Sequence, residues 1–139
     1  MKHTNNFQIY MEKCDQLAIK AKERGNAPVG CIILFGNEII AEAEEAGHSK
    51  QDISYHAEME AIRNARKIIG VDMSECTLVS THEPCIMCGY AIRYHKIKKV
   101  VYKNPVEYLG SINSSMKVLV TEEVPKHWSK SPEVILFTK

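Results

Sequence analysis

Two short motifs, well separated along the chain, restrict its folding more than any other feature. His56-Ala57-Glu58 lies near the middle, and Pro84-Cys85-Ile86-Met87-Cys88 follows a later apolar run. A histidine and a Cys-x-x-Cys pair are three ligands of the types zinc prefers, and three protein ligands leave a fourth position for water. Glu58, two residues past the histidine, is then a candidate proton carrier. A fold that uses this set must bring two helix starts to one point.

Both helix starts are legible. Tyr55 to Ile69 reads as a helix capped by Asp52 or Ser54, with Met59, Ile62, Ala65 and Ile69 as its buried stripe and Gly70 at its close. Side chains two apart diverge on a helix body, so His56 and Glu58 converge only in the first turn. Pro84 is expected at the first position of the next helix, where its missing N–H costs nothing. That helix runs to about Tyr94. Cys85 and Cys88, three apart, share a face of it, and its N-terminal dipole favours thiolates.

The rest of the chain supplies a sheet. A first helix is expected over roughly 5–24, capped by Thr4 or Asn5 and ended by Gly25. Val29 to Phe35 is a buried strand, Gly36-Asn37 a hairpin turn, and Ile39-Ile40-Ala41 the antiparallel return. Glu42 to Asp52 reads as loop, Thr77 to Ser80 as strand, Lys98 to Tyr102 as strand and Asn104 to Ser114 as loop. Ser115 to Glu123 fits a short helix or a strand. Val124 to Pro132 is irregular, and Val134 to Phe137 is a final strand. The order α-β-β-α-β-α-β-(α)-β predicts the α/β class: a three-layer α-β-α sandwich around a mixed five-stranded sheet. At this length, 1–139 is expected to be a single domain.

Composition removes several alternatives. Five cysteines, an odd number with one close pair, do not make a secreted disulfide framework. Cys14, Cys31 and Cys76 sit in apolar patterns and read as core thiols. The N-terminus shows no apolar signal core and no run spans a bilayer, so the expected location is the cytoplasm, with no membrane partner. A net charge of +1 gives no global field that would recruit nucleic acid or an anionic membrane.

Two rival readings of the cysteines stay open. Cys85 and Cys88 alone could be a redox pair at a helix N-terminus, which leaves His56 and Glu58 without a role. A closed structural zinc would need a fourth ligand from His82, His95, Cys76 or Cys31. His82 and His95 read rather as non-ligands, at the surface or just behind the site.

His56-x-Glu58 followed by Pro84-Cys85-x-x-Cys88 resembles the signature of the cytidine deaminase-like zinc deaminases. Ala27-Pro28-Val29-Gly30, His56-Ala57-Glu58-Met59-Glu60-Ala61-Ile62 and Glu83-Pro84-Cys85-Ile86-Met87-Cys88 are most similar to the branch of tRNA adenosine deaminases and guanine/cytosine deaminases. The resemblance runs from about residue 7 to 138. It implies one Zn2+ per chain on His56, Cys85 and Cys88, lowering the pKa of bound water towards about 7. It implies that Glu58 moves the proton to a ring nitrogen as ammonia leaves. The backbone N–H groups of Ala57 and Cys85 are candidate polar contacts, and a homodimer through the two motif helices is expected.

Two departures bear on substrate. That branch usually carries a base-contacting asparagine in the loop ahead of its histidine motif; an ungapped alignment puts Glu45 there. A carboxylate only accepts hydrogen bonds when ionised, so Glu45 would favour a heterocycle rich in N–H groups; if the loop shifts, Glu45 is instead simply solvated. The chain also closes on a strand where tRNA-specific members usually carry a longer terminal helix, and Trp128 could stack on a base or pack on the sheet. The expectation is hydrolytic deamination of a small aminated heterocycle, guanine-type first. Adenosine in tRNA is the alternative, and a zinc-binding or redox module without turnover is the alternative of another class.

Overall fold

The fold is described from a computed structural model over residues 7–138; the expected caps Thr4 and Asn5 lie outside the described residues. The first helix, α1 (Gln8–Glu23), starts from Phe7 without a side-chain cap. It buries Met11, Cys14, Leu17, Ala18 and Ala21, the helical spacing legible in the sequence. Its packing on β1 (Gly30–Phe35) is so close that a Cβ at Gly30 would stand 2.1 Å from the Cys14 carbonyl oxygen, and only glycine fits.

Strand β1 turns at Gly36-Asn37 into β2 (Glu38–Glu44), which pairs antiparallel to it. β2 therefore extends three residues past Ala41 into the expected loop. Ala41 and Ala43 alternate inward from it onto the core while Glu42 points to solvent, the period-2 pattern of a half-buried strand. A one-turn helix, α2 (Gly47–Lys50), and a 3-10 turn (Ile53–Tyr55) lead into α3 (Ala57–Ile69). β3 (Cys76–His82), α4 (Ile86–Tyr94), β4 (Lys99–Asn104) and β5 (Glu133–Leu136) follow.

The five strands lie in the order β2-β1-β3-β4-β5. β1 is antiparallel to both neighbours, whereas β3, β4 and β5 run parallel. Two cores face opposite sides of this mixed sheet. On one side α1 covers Ile32, Leu34, Val79, Val101 and Phe137. On the other, α3 and α4 cover Ile33, Leu78 and Val100 with Ala57, Ala61, Ile62, Ala65 and Ile92. The three-layer α/β sandwich read from the element order is the fold.

Three local readings change. The buried face of α3 is Ala57, Glu58, Ala61, Ile62 and Ala65; Met59 and Ile69 are half-buried flanks. Small alanines let α3 lie close on the sheet. The segment 115–123 is neither helix nor strand but a set of turns. Nη1 of the buried Arg93 donates to the carbonyl oxygens of Val118, Leu119 and Thr121, so a side chain does there what a backbone ladder would otherwise do. His95 is buried, with Nδ1 2.7 Å from the Ala91 carbonyl oxygen and Nε2 3.2 Å from Arg66 Nη1.

Candidate metal centre

The motifs meet where α3 and α4 begin. His56 and Cys85 are each the residue that precedes the first helical turn, with extended backbones (ψ 146° and 176°). Cys88 lies inside the first turn of α4. Pro84 is thus one residue ahead of the cap rather than at the first helical position. Its carbonyl oxygen accepts hydrogen bonds from Ser111 N–H and Oγ, and Cys85 bridges to Gly110, which keeps the chain extended for one more step.

His56 Nδ1 is 3.5 Å from Cys85 Sγ and 3.6 Å from Cys88 Sγ, and the three ligand atoms lie within 4.8 Å of one another. Zinc bonds of about 2.0–2.1 Å to nitrogen and 2.3 Å to sulfur, at tetrahedral angles, separate those atoms by about 3.6 Å. The donor set and its spacing fit a single zinc ion. His82, His95, Cys76 and Cys31 do not join the group. Cys31 and Cys76 are fully buried, as is Cys14, whose thiol donates to the Val79 carbonyl.

Protons are unevenly held among the three ligands. A hydrogen bond from Cys88, with help from His56, draws Cys85 down to about 4 against the opposing effect of burial. The Cys85 contact pushes His56 up to about 9. Cys88 is held well above its ordinary value by its bond to Cys85 and by burial. A cation that takes all three ligands displaces the protons on His56 and Cys88.

Glu58 is buried beside this group, with Oε1 3.8 Å from Cys88 Sγ. Burial pushes it up to about 7, although Ser80 Oγ, donating at 2.8 Å to Oε2, opposes the rise. Ser80 in turn accepts from the His82 N–H at 3.3 Å, which aims its hydroxyl proton at Glu58. A carboxyl in this state both takes and gives a proton near neutral pH.

A cavity of about 240 Å³ opens onto His56, Glu58 and Cys85, walled by Ala27, Val29, Glu45, His82, Glu83, Val106 and Tyr108. Glu45 is 8 % exposed. Its Oε1 accepts from the Ala57 N–H at 3.1 Å and Oε2 from the Gly47 N–H at 3.2 Å. The Ala57 N–H, a candidate polar contact for the substrate, thus donates to Glu45 in this structure. Trp128 is not brought to this cavity. Its ring packs edge-on against Tyr90 (5.0 Å) and Tyr94 (6.4 Å), on exposed residues of α4. The aromatic at the cavity is Tyr108, 77 % exposed.

Glu83 does a different task. Its carboxylate accepts from the N–H groups of Val106 (3.1 Å), Ile112 (2.9 Å) and Asn113 (2.8 Å) and from Asn113 Nδ2 (3.0 Å). A Cβ at Gly110 would lie 2.2 Å from Glu83 Oε2, so glycine there lets the loop close over the carboxylate. Sequence reasoning does not single out Ser80, Glu83 or Tyr108 for these tasks. The one signal it offers is a serine inside the otherwise apolar run Leu78-Val79-Ser80.

Comparison with known proteins agrees with this geometry. The model of the cytidine and deoxycytidylate deaminase zinc-binding region matches residues 4–104. The tRNA-specific adenosine deaminase of Bacillus subtilis (strain 168) is 34% identical over 121 residues, which cover 86% of this chain and 74% of the relative. A chain solved in a study of A-to-I editing by tRNA:A34 deaminases superposes with a TM-score of 0.83 at 25% identity, covering 94% of this chain and 98% of that one. A guanine deaminase from Bacillus subtilis superposes with a TM-score of 0.67 at 32% identity, covering 70% of this chain and 64% of that one. With both motifs inside the matched span and the three ligand atoms at zinc spacing, this chain belongs to the cytidine and deoxycytidylate deaminase zinc-binding family and is a zinc-dependent deaminase.

Proposed function

We propose that the chain deaminates adenosine in tRNA, replacing the ring-carbon amine by a carbonyl oxygen and releasing ammonia. One observation carries the chemistry: three zinc ligands converge beside a buried carboxyl at the floor of a cavity. Similarity to tRNA-specific adenosine deaminases supports the substrate.

His56, Cys85 and Cys88 hold the zinc, which when bound supplies a Lewis acid that makes water a nucleophile near neutral pH. Glu58 accepts a proton from the attacking water and delivers it to the ring nitrogen beside the amine-bearing carbon. Ser80 holds one oxygen of Glu58, leaving the other to face the reacting atoms. Tyr108, at the cavity wall, offers an exposed ring against which a base can stack.

A second reading is favoured by Glu45. A carboxylate in the cavity wall accepts hydrogen bonds and offers none when ionised, which suits the N–H-rich edge of a guanine-type free base better than adenine. The similarity to a guanine deaminase supports the same direction. Either substrate fits a homodimer formed through α3 and α4 and a reducing compartment, which suits zinc thiolates.

Ammonia release and inosine formation, measured with the zinc-loaded protein on tRNA and on a panel of free bases, separate the readings. Turnover of tRNA adenosine is expected, and turnover of guanine alone would select the second reading. Glu58→Gln is expected to lower kcat by about 10²- to 10⁴-fold with zinc retained. Glu45→Asn is expected to raise the rate on adenosine relative to guanine. An unchanged order of preference removes Glu45 from substrate selection.

A further inference from the structure

One histidine in the wall of the catalytic cavity has no task yet. His82 closes β3 and lines the cavity with Glu45, Glu58 and Tyr108. It stands outside the His56, Cys85 and Cys88 group. Its neighbour fixes where its proton sits. Thr81 is buried; its Oγ1 accepts the Gly30 N–H at 3.2 Å and lies 2.8 Å from His82 Nδ1. The Thr81 hydroxyl still has its own proton to give, and His82 Nδ1 is the acceptor in reach. The single proton of a neutral ring is thereby assigned to Nε2. A second proton would add at Nδ1 and leave Nε2 a donor still.

The ring is held in place, yet open at its far nitrogen. Asn104 Nδ2 donates to the Thr81 carbonyl oxygen at 2.8 Å, which ties the end of β3 to β4. The bond from His82 to Ser80 Oγ uses the backbone N–H, so it survives a change of side chain. His82 is half-buried. Among the described residues, Arg93 Nε is the one buried side-chain nitrogen or oxygen without a partner. The ring of His82 bonds only through Nδ1 there, so Nε2 is accessible to solvent.

An accessible N–H donor is scarce in this wall. Glu45, Glu58 and Glu83 are carboxyls, which accept hydrogen bonds and give none when ionised. Purine ring nitrogens without a hydrogen are acceptors. Glu58 attends the one beside the reacting carbon, and another, on a different edge of the base, is left needing a donor. We propose that His82 Nε2–H donates to this second ring nitrogen and so fixes which carbon of the purine faces the metal centre. This rests on the deaminase reading of the cavity, and it holds for adenosine and guanine alike. N7 is such a nitrogen in both bases, and N3 is another in adenosine.

Deaza analogues, in which a C–H replaces one ring nitrogen, test the contact. His82→Leu removes the donor, and His82→Gln sets an amide N–H near the position of Nε2. With zinc-loaded protein, kcat/KM is measured on an RNA hairpin carrying adenosine, 7-deazaadenosine or 3-deazaadenosine, and on guanine and 7-deazaguanine. In the wild type, one deaza change is expected to lower kcat/KM about tenfold. In His82→Leu the parent substrate falls by about the same factor, and that deaza change costs nothing more, because the two remove one shared contact. His82→Gln is expected to recover most of the loss. A merely structural histidine would give equal deaza penalties in wild type and His82→Leu, and that result overturns the proposal. Absence of ammonia from every parent substrate overturns the deaminase reading instead, and a measurement without turnover then decides for His82. Nitrogen-15 NMR of the histidine rings in zinc-loaded Glu58→Gln identifies His82 as the signal that His82→Gln removes. A proton on Nε2 is expected, with its resonance shifted by the adenosine hairpin or by guanine. A proton on Nδ1 alone, or an Nε2 resonance that neither ligand moves, overturns the assignment.

Discussion

At the residue scale, the chemistry rests on how one carboxyl is held. Glu58 is buried and pushed up to about 7, and Ser80 is the group that restrains both its position and its protonation. Ser80→Ala removes a donor that favours the charged form. The pKa of Glu58 then rises, and the acid limb of the kcat/KM profile moves to higher pH, because the free enzyme needs the carboxylate to accept the proton of water. A pH–rate profile of this variant checks the sign; an unmoved acid limb would remove Ser80 from this role. His56, Glu58, Cys85 and Cys88 were legible because their types and spacing are unusual together. Ser80 was not, since one hydroxyl in an apolar strand carries no mark of the side it faces. Trp128 stayed open between two roles for a related reason. A lone tryptophan near the chain end suits a base-stacking role as well as a packing one, and only the position of 122–132 against α4 decides.

Elements matter through their ends. α3 and α4 present their first turns to one point, and each is fixed by a carboxylate from outside the helix. Glu45 takes the Ala57 N–H of α3. Glu83, just ahead of α4, gathers loop 105–113 against it. Burial alone would raise Glu83, but hydrogen bonds from Asn113, Val106 and Ile112 together hold it below its ordinary value. A depressed folded-state pKa adds stability that is present above the unfolded value, about 4.3, and is lost as pH falls through the folded value. Glu83→Ala is expected to cost about 2–4 kcal/mol at pH 7, by leaving loop N–H groups without their acceptor. The difference from wild type should shrink below about pH 4. Urea denaturation at about pH 7 and about pH 3.5, on either side of that unfolded value, measures both; an equal difference at the two would contradict the assignment. Element existence was legible from hydrophobic period and turn residues. Boundaries were less so, as in β2, where Glu42 and Glu44 on the solvent side masked a strand that Ala43 continues on the other. Segment 115–123 was illegible for a clearer reason: its carbonyl groups are satisfied by Arg93, which lies more than twenty residues earlier in sequence.

For the whole molecule, the sheet order places the two motif helices side by side. α3 follows the antiparallel pair β1–β2, and α4 crosses between the parallel strands β3 and β4. The β1–β3 pairing joins the two halves of the sheet, and the His56, Cys85 and Cys88 group links the helix that follows each half. The three-layer architecture followed from the order of elements, because alternating helices and strands cover both faces of a sheet only in this way. The substrate did not follow. A net charge of +1 says nothing for or against tRNA, and cavity walls such as Val106 and Tyr108 come from a loop whose path depends on Glu83. Either proposed substrate needs an open centre on His56, Cys85 and Cys88, so its coordination is the claim on which the rest depends. X-ray absorption at the zinc edge of the purified protein tests it most directly. One zinc per chain is expected, with two sulfurs at about 2.3 Å, one imidazole nitrogen and one oxygen of water at about 2.0–2.1 Å. A fourth protein ligand in place of that oxygen would contradict an open centre facing Glu58.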